Sequence, residues 1–461
     1  MKLKTICKFM LIILAFIYLL APLAPEKLNV VISFIGVIIL LTAIPMMGKT
    51  HKVPTMVFLI VGCTIMFYNR QPIEVWIAGI NSMINIAAII TVLQLFVIPI
   101  FLGDYNKYFE YLLLIKIKSE RYLFLFTSLI AHLFSSFLMF GTIPVMLSLL
   151  GDVLKRNVTD YERFISAALI RSYALAIFWA PGAISILLIM QATGVHWEQM
   201  FIPGIIMSII GLTTSVLYEG ALRLSPAKMR NEDLVTQIRS EGITEKNAWR
   251  KVSHIFLVVI GLIFFILVYE RMFVSSSSHR IMLSGLTVAV IWMLLYLKHP
   301  QLGEAFKGYW QDGVSKAIDL SALFVSMGIF AKAVEVSGIL DYFQSWLLTF
   351  NNDYAFLLLI AIQLIIVLLS LIGLHPFISL VMLGKILSSL HLPFPVLMLA
   401  FSLMLGSVIA YLLSPFAGMV LTLSTYINRP PMQISLKWNG YYGLILFVEG
   451  VVFLYIMSII I

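Results

Sequence analysis

The sequence predicts an all-α polytopic membrane protein with about eleven transmembrane helices plus two re-entrant hairpins, arranged in two inverted-topology repeats. Three observations predict it. Of the 461 residues, 61% are hydrophobic and only 11% charged, more apolar side chain than a water-soluble core can enclose, so lipid is the solvent. Apolar runs of roughly 20 residues, the length that crosses about 30 Å of hydrocarbon, recur with short polar breaks between them. The two halves also overlay almost without gaps at an offset of 234 residues.

The net charge of +9 does not point to nucleic acid, because Lys and Arg gather in particular loops, as topology signals do. Two cysteines, Cys7 and Cys63, are too few for a disulfide framework or a cysteine metal site. No His/Glu/Asp spacing suggests a metal cluster. Asn157-Val158-Thr159 matches a glycosylation sequon, but the charge pattern puts it inside, away from any glycosylating compartment.

The amino end carries Lys2, Lys4 and Lys8 before an apolar stretch from Phe9 to Ala24. Pro25 follows the only cleavage-like run, so this reads as an uncleaved first span with its amino end inside. Spans follow at 28 to 47, 53 to 68 and 76 to 102. Asp104 to Arg121 carries Lys107, Lys116, Lys118 and Arg121 among apolar residues, an amphipathic helix for the inner surface rather than a span.

From Tyr122 to Leu154 the chain is apolar but broken at Phe140-Gly141-Thr142-Ile143-Pro144, with Arg121 before it and Lys155-Arg156 after. A Gly/Pro break in mid-run with basic residues at both ends predicts a re-entrant hairpin whose tip is buried in protein. Two short complete spans are the alternative. The stretch 163 to 191 crosses outward through Trp179-Ala180-Pro181-Gly182, and 200 to 219 returns to the basic loop Arg223 to Lys251.

The second half repeats the pattern, with spans near 252 to 269, 281 to 297 and 308 to 335 and a hairpin near 356 to 388. A broken span near 398 to 425 and a last span near 440 to 460 leave the carboxyl end outside. The chain thus divides into an extra N-terminal helix (1–27), a first repeat (28–221), a cytoplasmic linker (222–251) and a second repeat (252–461). The expected location is the plasma or inner membrane.

At the 234-residue offset, Trp76 to Gly79 meets Trp310 to Gly313, and Ile84 to Ala88 meets Ile318 to Ala322. Tyr108-Phe109 meets Tyr342-Phe343, and Ala180-Pro181 meets Ser414-Pro415. Together these predict an internal duplication. An odd number of crossings per copy turns the second upside down. The charges agree, since the amphipathic segment holds four basic residues and its counterpart, Gly338 to Tyr354, holds none.

A surface helix, a re-entrant hairpin, a Pro/Gly-broken span and a final span, duplicated and inverted, resemble the ion transporter superfamily, especially the divalent anion/sodium symporters. The resemblance covers most of the chain after the first span. In that family Ser-Asn-Thr motifs at the hairpin tips help bind a substrate carboxylate and sodium. The tips here read Phe140-Gly141-Thr142 and Gly373-Leu374-His375-Pro376. Only Thr142 matches the motif, so the resemblance is architectural and does not carry over sodium coupling or dicarboxylate specificity.

Several residues are candidates for a substrate site. Pro181-Gly182 and Ser414-Pro415-Phe416-Ala417-Gly418 would free main-chain groups near the bilayer centre; the alternative is a plain proline kink. Gly141, Thr142, Gly373, His375 and Pro376 form the tips. His375 could bind an anion or relay a proton, or be a hydrogen-bonded structural histidine. Asp319 and its repeat mate Asn85 lie roughly 14 Å into their spans at about 1.5 Å per residue. They are the candidates for ion coupling, against a role in helix-to-helix hydrogen bonding.

Glu449 carries the same ambiguity. Asp152 and Lys385 fit interfacial snorkelling, Lys332 and Glu335 a local ion pair, and His132 a packed polar residue. Arg163 fits the inner interface, whereas Arg171 lies deeper and needs a partner or water.

The expected function is secondary active transport of a small solute, an organic or inorganic anion, coupled to H+ or Na+ by alternating access. No catalytic residue, resident cofactor or metal is expected, and the only ion is a transported Na+ or H+. The expected partners are a small-molecule solute and the lipid bilayer, with no nucleic acid; a homodimer is compatible. The rivals are a membrane-embedded glycan polymerase or ligase, for which no outer loop looks large enough, and a transporter-derived scaffold that no longer transports.

Overall fold

The computed structural model describes residues 2–23, 25–116, 119–222, 243–273, 275–338, 355–390 and 392–460. Among them no strand occurs. The first half supplies α1 (Lys2–Leu20), α2 (Pro25–Ala43), α3 (Lys49–Tyr68), α4 (Ile73–Leu93), α5 (Val97–Gly103), α6 (Asn106–Lys116), α7 (Glu120–Leu138), α8 (Thr142–Asn157), α9 (Tyr161–Ala176), α10 (Ile184–Thr193) and α11 (Trp197–Leu222). The second half supplies α12 (Glu245–Met272), α13 (Ser277–Leu294), α14 (Leu302–Gly308), α15 (Val314–Val336), α16 (Ala355–Leu371), α17 (Pro376–Ser388), α18 (Val396–Leu413), α19 (Gly418–Ile427) and α20 (Trp438–Ile460).

The protein is an all-α, multi-pass membrane protein. Ten helices among the described residues are long and apolar enough to cross a bilayer, in keeping with the expectation of about eleven. The stretch expected as one span near 163 to 191 consists of two helices, α9 and α10, of 16 and 10 residues. Conversely α7, expected as a hairpin arm, is itself 19 residues long and qualifies.

Lipid explains why apolar side chains point outward. On α20 Leu444, Val448, Val452, Tyr455 and Ile459 are exposed, while Tyr442, Leu446, Gly450, Leu454 and Met457 face the protein. Such a stripe would be a liability in water and is unremarkable in hydrocarbon.

The centre of the bundle is the packing of α3 and α4 on α15. At one end a Cβ on Gly328 would come within 2.5 Å of the Gly79 carbonyl oxygen and 2.6 Å of Ser82 Oγ, so glycine is required there for α4 and α15 to approach this closely. At the other end the Tyr309 hydroxyl donates to the Thr91 carbonyl at 3.2 Å, and Gly313 lies against Gln94. The residue numbers rise along α4 as they fall along α15, so the two helices run antiparallel.

Two helix pairs joined by tight turns, α7–α8 and α16–α17, pack beside the segmented stretches α9–α10 and α18–α19. The beginning of α7 is tied to the chain just beyond α8, because the Glu120 carboxylate accepts from the Thr159 amide at 2.9 Å and from its hydroxyl at 2.7 Å. Both ends of that pair therefore lie at one end of the bundle.

Positive backbone angles mark the segment ends, and their spacing is regular. Seven described residues have positive φ, and six of them fall into pairs 234 positions apart: Asp104 with Gly338, Met139 with Gly373, and Gly194 with Asn428. Helix starts follow the same interval. α8 starts at Thr142 and α17 at Pro376, while α10 spans Ile184–Thr193 and α19 spans Gly418–Ile427.

α6 occupies the expected amphipathic segment and buries Phe109, Tyr111 and Leu112. Its counterpart, Gly338 to Tyr354, falls outside the described residues beyond Gly338, as does the loop Arg223 to Lys251 up to residue 242. Lys251 donates to the Gly103 carbonyl at 2.9 Å and lies 5.5 to 5.7 Å from the rings of Tyr105, Tyr108 and Tyr296, fastening α12 to the turn before α6.

Candidate functional site

The helix starts beside the breaks define the candidate site. At the first break Pro181 supplies no amide hydrogen and α9 stops, its last turn closed by the Ala180 amide donating to the Ala176 carbonyl at 2.9 Å. α10 starts after Ala183, which cannot cap it. At the second break Ser414 closes α18, and α19 starts after Ala417, which also gives no side-chain cap. α8 starts after Gly141, again without one.

The missing side-chain cap does not by itself set these starts apart, since α3, α4, α7, α14, α15 and α18 also begin without one. Asp160 caps α9, Thr244 caps α12 and Ser276 caps α13. A helix start leaves its first amides without intrahelical partners and carries partial positive charge. The starts of α10 and α19, both buried, follow extended residues and keep that capacity open; α8 instead continues from a helical turn, with the Thr142 amide donating to the Met139 carbonyl, and α17 is capped by His375 Nδ1, which accepts from the Phe377 amide at 3.3 Å.

Tyr411 joins these parts. Its ring lies 5.8 Å from Tyr173 of α9, 6.0 Å from His375 and 5.6 Å from Phe377 of α17. The side chain is 1% exposed, and its hydroxyl faces Ser185 without meeting it in a hydrogen bond of good geometry. One turn away, Ser407 bonds Ser185, in the first turn of α10, at 3.1 Å. Both segmented stretches and the second helix pair therefore meet around one buried phenol. An unpartnered buried hydroxyl costs roughly 1–3 kcal/mol unless something binds it.

The expected site residues divide into three groups. His375, Pro376, Gly373 and Ser414 come together: Ser414 Oγ donates to the Ser370 carbonyl at 2.7 Å, and Gly373 lies against Phe416. Pro415 is buried between them and α19, which begins at Gly418. His375 also lies 5.9 Å from the ring of His51 in the first turn of α3, so the second tip reaches the level at which α3 starts.

Pro181 and Gly182 form a separate contact, with Gly182 against Leu93 and the Ser136 carbonyl near the end of α7. Thr142, beside Gly141 at the first tip, is fully buried with an unpartnered hydroxyl, and no hydrogen bond links it to the Tyr411 group among the described residues. Asn85 stands apart, its amide donating to Gln191 Oε1 at 3.1 Å. Asp319 lies within α15, and its side chain is outside the described residues.

His132 is a structural hub. Its Nδ1 faces the Ser172 carbonyl at 3.0 Å and must donate; Nε2 then accepts from Trp179 Nε1 at 2.9 Å, with Ser208 Oγ at 3.1 Å. Arg171 has the partner its depth demanded. Glu219 lies 2.8 Å from it and 2.7 Å from Arg163, while Asn439, Ser215 and the Trp438 carbonyl take its remaining donors.

Sequence reasoning missed Tyr411, Tyr173 and Glu219. Tyrosine in an apolar span carries no signal of its own. Glu219 falls at a span end, where an interfacial carboxylate is ordinary, although Ser208, Ser215 and Glu219 at helical spacing were readable as one polar face of α11.

No family model matches the chain, and no curated protein is significantly similar to it.

Proposed function

We propose that the protein is a secondary carrier that moves a small anionic solute by alternating access between two inverted copies of one repeat. The carrying observation is that buried helices start at matching points of the two halves, α8 with α17 and α10 with α19, with the buried hydroxyls of Thr142 and Tyr411 nearby. Amides at helix starts and hydroxyl donors suit a carboxylate or oxyanion.

The duplication is supported by the positive-φ pairs, since a backbone conformation that side chains disfavour recurs at one interval in three places. The inversion is supported by α4 and α15. They are the same element of the two copies, and they run antiparallel against each other. The helix pairs α7–α8 and α16–α17 would be the re-entrant hairpins, one from each side. Asn85 and Asp319 remain the proposed ion-coupling residues.

Reconstituted protein in liposomes, loaded with unlabelled carboxylates or oxyanions and challenged with labelled ones, should exchange solute. Ligands that bind only the native state should raise its melting temperature. Binding without exchange across the series would favour the scaffold reading instead. Tyr411→Phe should weaken solute binding about tenfold, or about 1.4 kcal/mol. It should leave the unliganded protein as stable as before or more so, because the lost hydroxyl has no protein partner to strand. Unchanged solute affinity would remove Tyr411 from the site.

A further inference from the structure

Between the last turns of α15 and α17 lies a cleft of about 210 Å³. Phe330, Val381 and Met382 line it with apolar surface, and Glu335, Lys385 and Ser389 line it with polar surface. Val381 is buried and Ser389 exposed, so the cleft runs from the interior to the surface. α15 packs on α3 and α4, whereas α17 packs on α10, α16 and α18, which places the cleft in the seam between two groups of helices.

Lys385 is half-buried, yet its ammonium makes no hydrogen bond or ion pair with any described residue. Glu335 is the carboxylate within electrostatic reach of it, and Lys332 already holds that carboxylate at 2.6 Å. The last turn of α17 does not use the ammonium either, because Ser389 Oγ donates to the Ile386 carbonyl at 2.8 Å and to the Lys385 carbonyl at 3.2 Å. The ammonium donors are thus left for whatever enters the cleft.

Lys332, Lys385 and Glu335 together leave a positive charge in excess, beside apolar walls that strengthen its pull by excluding water. The fold does not demand this charge. At the 234-residue interval the same places of the first copy are Ile98, Phe101 and Gly151, none of them charged. A monoanion balances the excess, and the volume admits only a small one. Lys385 lies roughly 14 Å along α17 from Pro376, at about 1.5 Å per residue, so the cleft is a different place from the Tyr411 group.

We propose that this cleft binds a small carboxylate or oxyanion, with the Lys385 ammonium as its counter-ion and Glu335, held by Lys332, on the opposite wall. The site belongs to the second copy alone, so it favours anions at one end of the bundle. Taking the bound anion as a solute on its way to Tyr411 rests on the carrier reading; its binding does not.

Ser389→Cys, in full-length protein with Cys7 and Cys63 changed to serine, puts one thiol in the cleft. Its labelling rates with an anionic and a cationic methanethiosulfonate are compared in detergent, each normalised to the reagent's rate with 2-mercaptoethanol. The anionic reagent should lead by roughly tenfold. Sodium phosphate or acetate, against sodium chloride at equal ionic strength, should slow it. Lys385→Gln should erase the preference and the slowing, Lys385→Arg should keep both, and Glu335→Gln should enlarge the preference. If Lys385→Gln does not fold, Glu335→Gln decides alone. Equal rates for the two reagents, a preference that survives Lys385→Gln or fails to grow in Glu335→Gln, or slowing by neither anion would each overturn the site. Slowing in phosphatidylglycerol nanodiscs but by neither free anion would give the cleft to a lipid headgroup and overturn it too. Slowing by the free anions in a protein that exchanges no solute would uphold the cleft and sink the carrier reading.

Discussion

At the residue scale, the charges buried in this protein follow the rule that each must find a partner inside. Glu219, 1% exposed, sits between Arg171, also 1% exposed, and Arg163. The two arginines are not equivalent in what their loss leaves behind. Removing Arg163 leaves one buried pair that balances, whereas Glu219→Gln leaves two guanidinium groups facing each other without a counter-charge. We expect Glu219→Gln to cost about 3–5 kcal/mol and Arg163→Gln distinctly less. Thermal unfolding in detergent measures both, and an equal loss would mean that the carboxylate is not the hinge of the cluster.

At the element scale, the two tip turns solve one geometric problem with different residues. Gly373 takes φ +108 at no steric cost, but its mate Met139 takes φ +53 with ψ −122, a region in which a side chain is disfavoured. Met139→Gly should relieve about 1 kcal/mol of backbone strain but lose about 2–5 kcal/mol of buried packing, a net destabilisation, and Gly373→Ala should destabilise the protein by about 1–2 kcal/mol. Paired melting curves test this. A gain of stability in Met139→Gly would show that the backbone strain outweighs the side chain's packing.

For the whole molecule, the proposed inversion makes a prediction about sides. Single cysteines at the outer ends of one helix pair, for example at Glu120 and Asn157, should react with impermeant reagents from the same face in a background free of Cys7 and Cys63. Single cysteines at Ala355 and Ser388 should react from the opposite face. The tie between Glu120 and Thr159 already places the first pair's ends together. Labelling of both pairs from a single face would remove the inversion, and with it the alternating-access reading.

The class of the protein was legible in composition, because hydrocarbon excludes charge and the run lengths follow from bilayer thickness. The breaks were legible too, since Pro181, Gly182 and Pro415 deny the helix an amide or a Cβ whatever surrounds them, and the 234-residue register was visible in Trp76 with Trp310 and Asn85 with Asp319. Where a broken span such as 163 to 191 stops and restarts was not, because helix ends depend on local turns, and that stretch is two helices, Tyr161–Ala176 and Ile184–Thr193. Only the tertiary structure brought Tyr411 to Tyr173 and His375, or Lys385 into one cleft with Glu335. These contacts join residues far apart in the chain, and whether a buried polar atom is paired or left free is a property of what packs against it rather than of the residue itself.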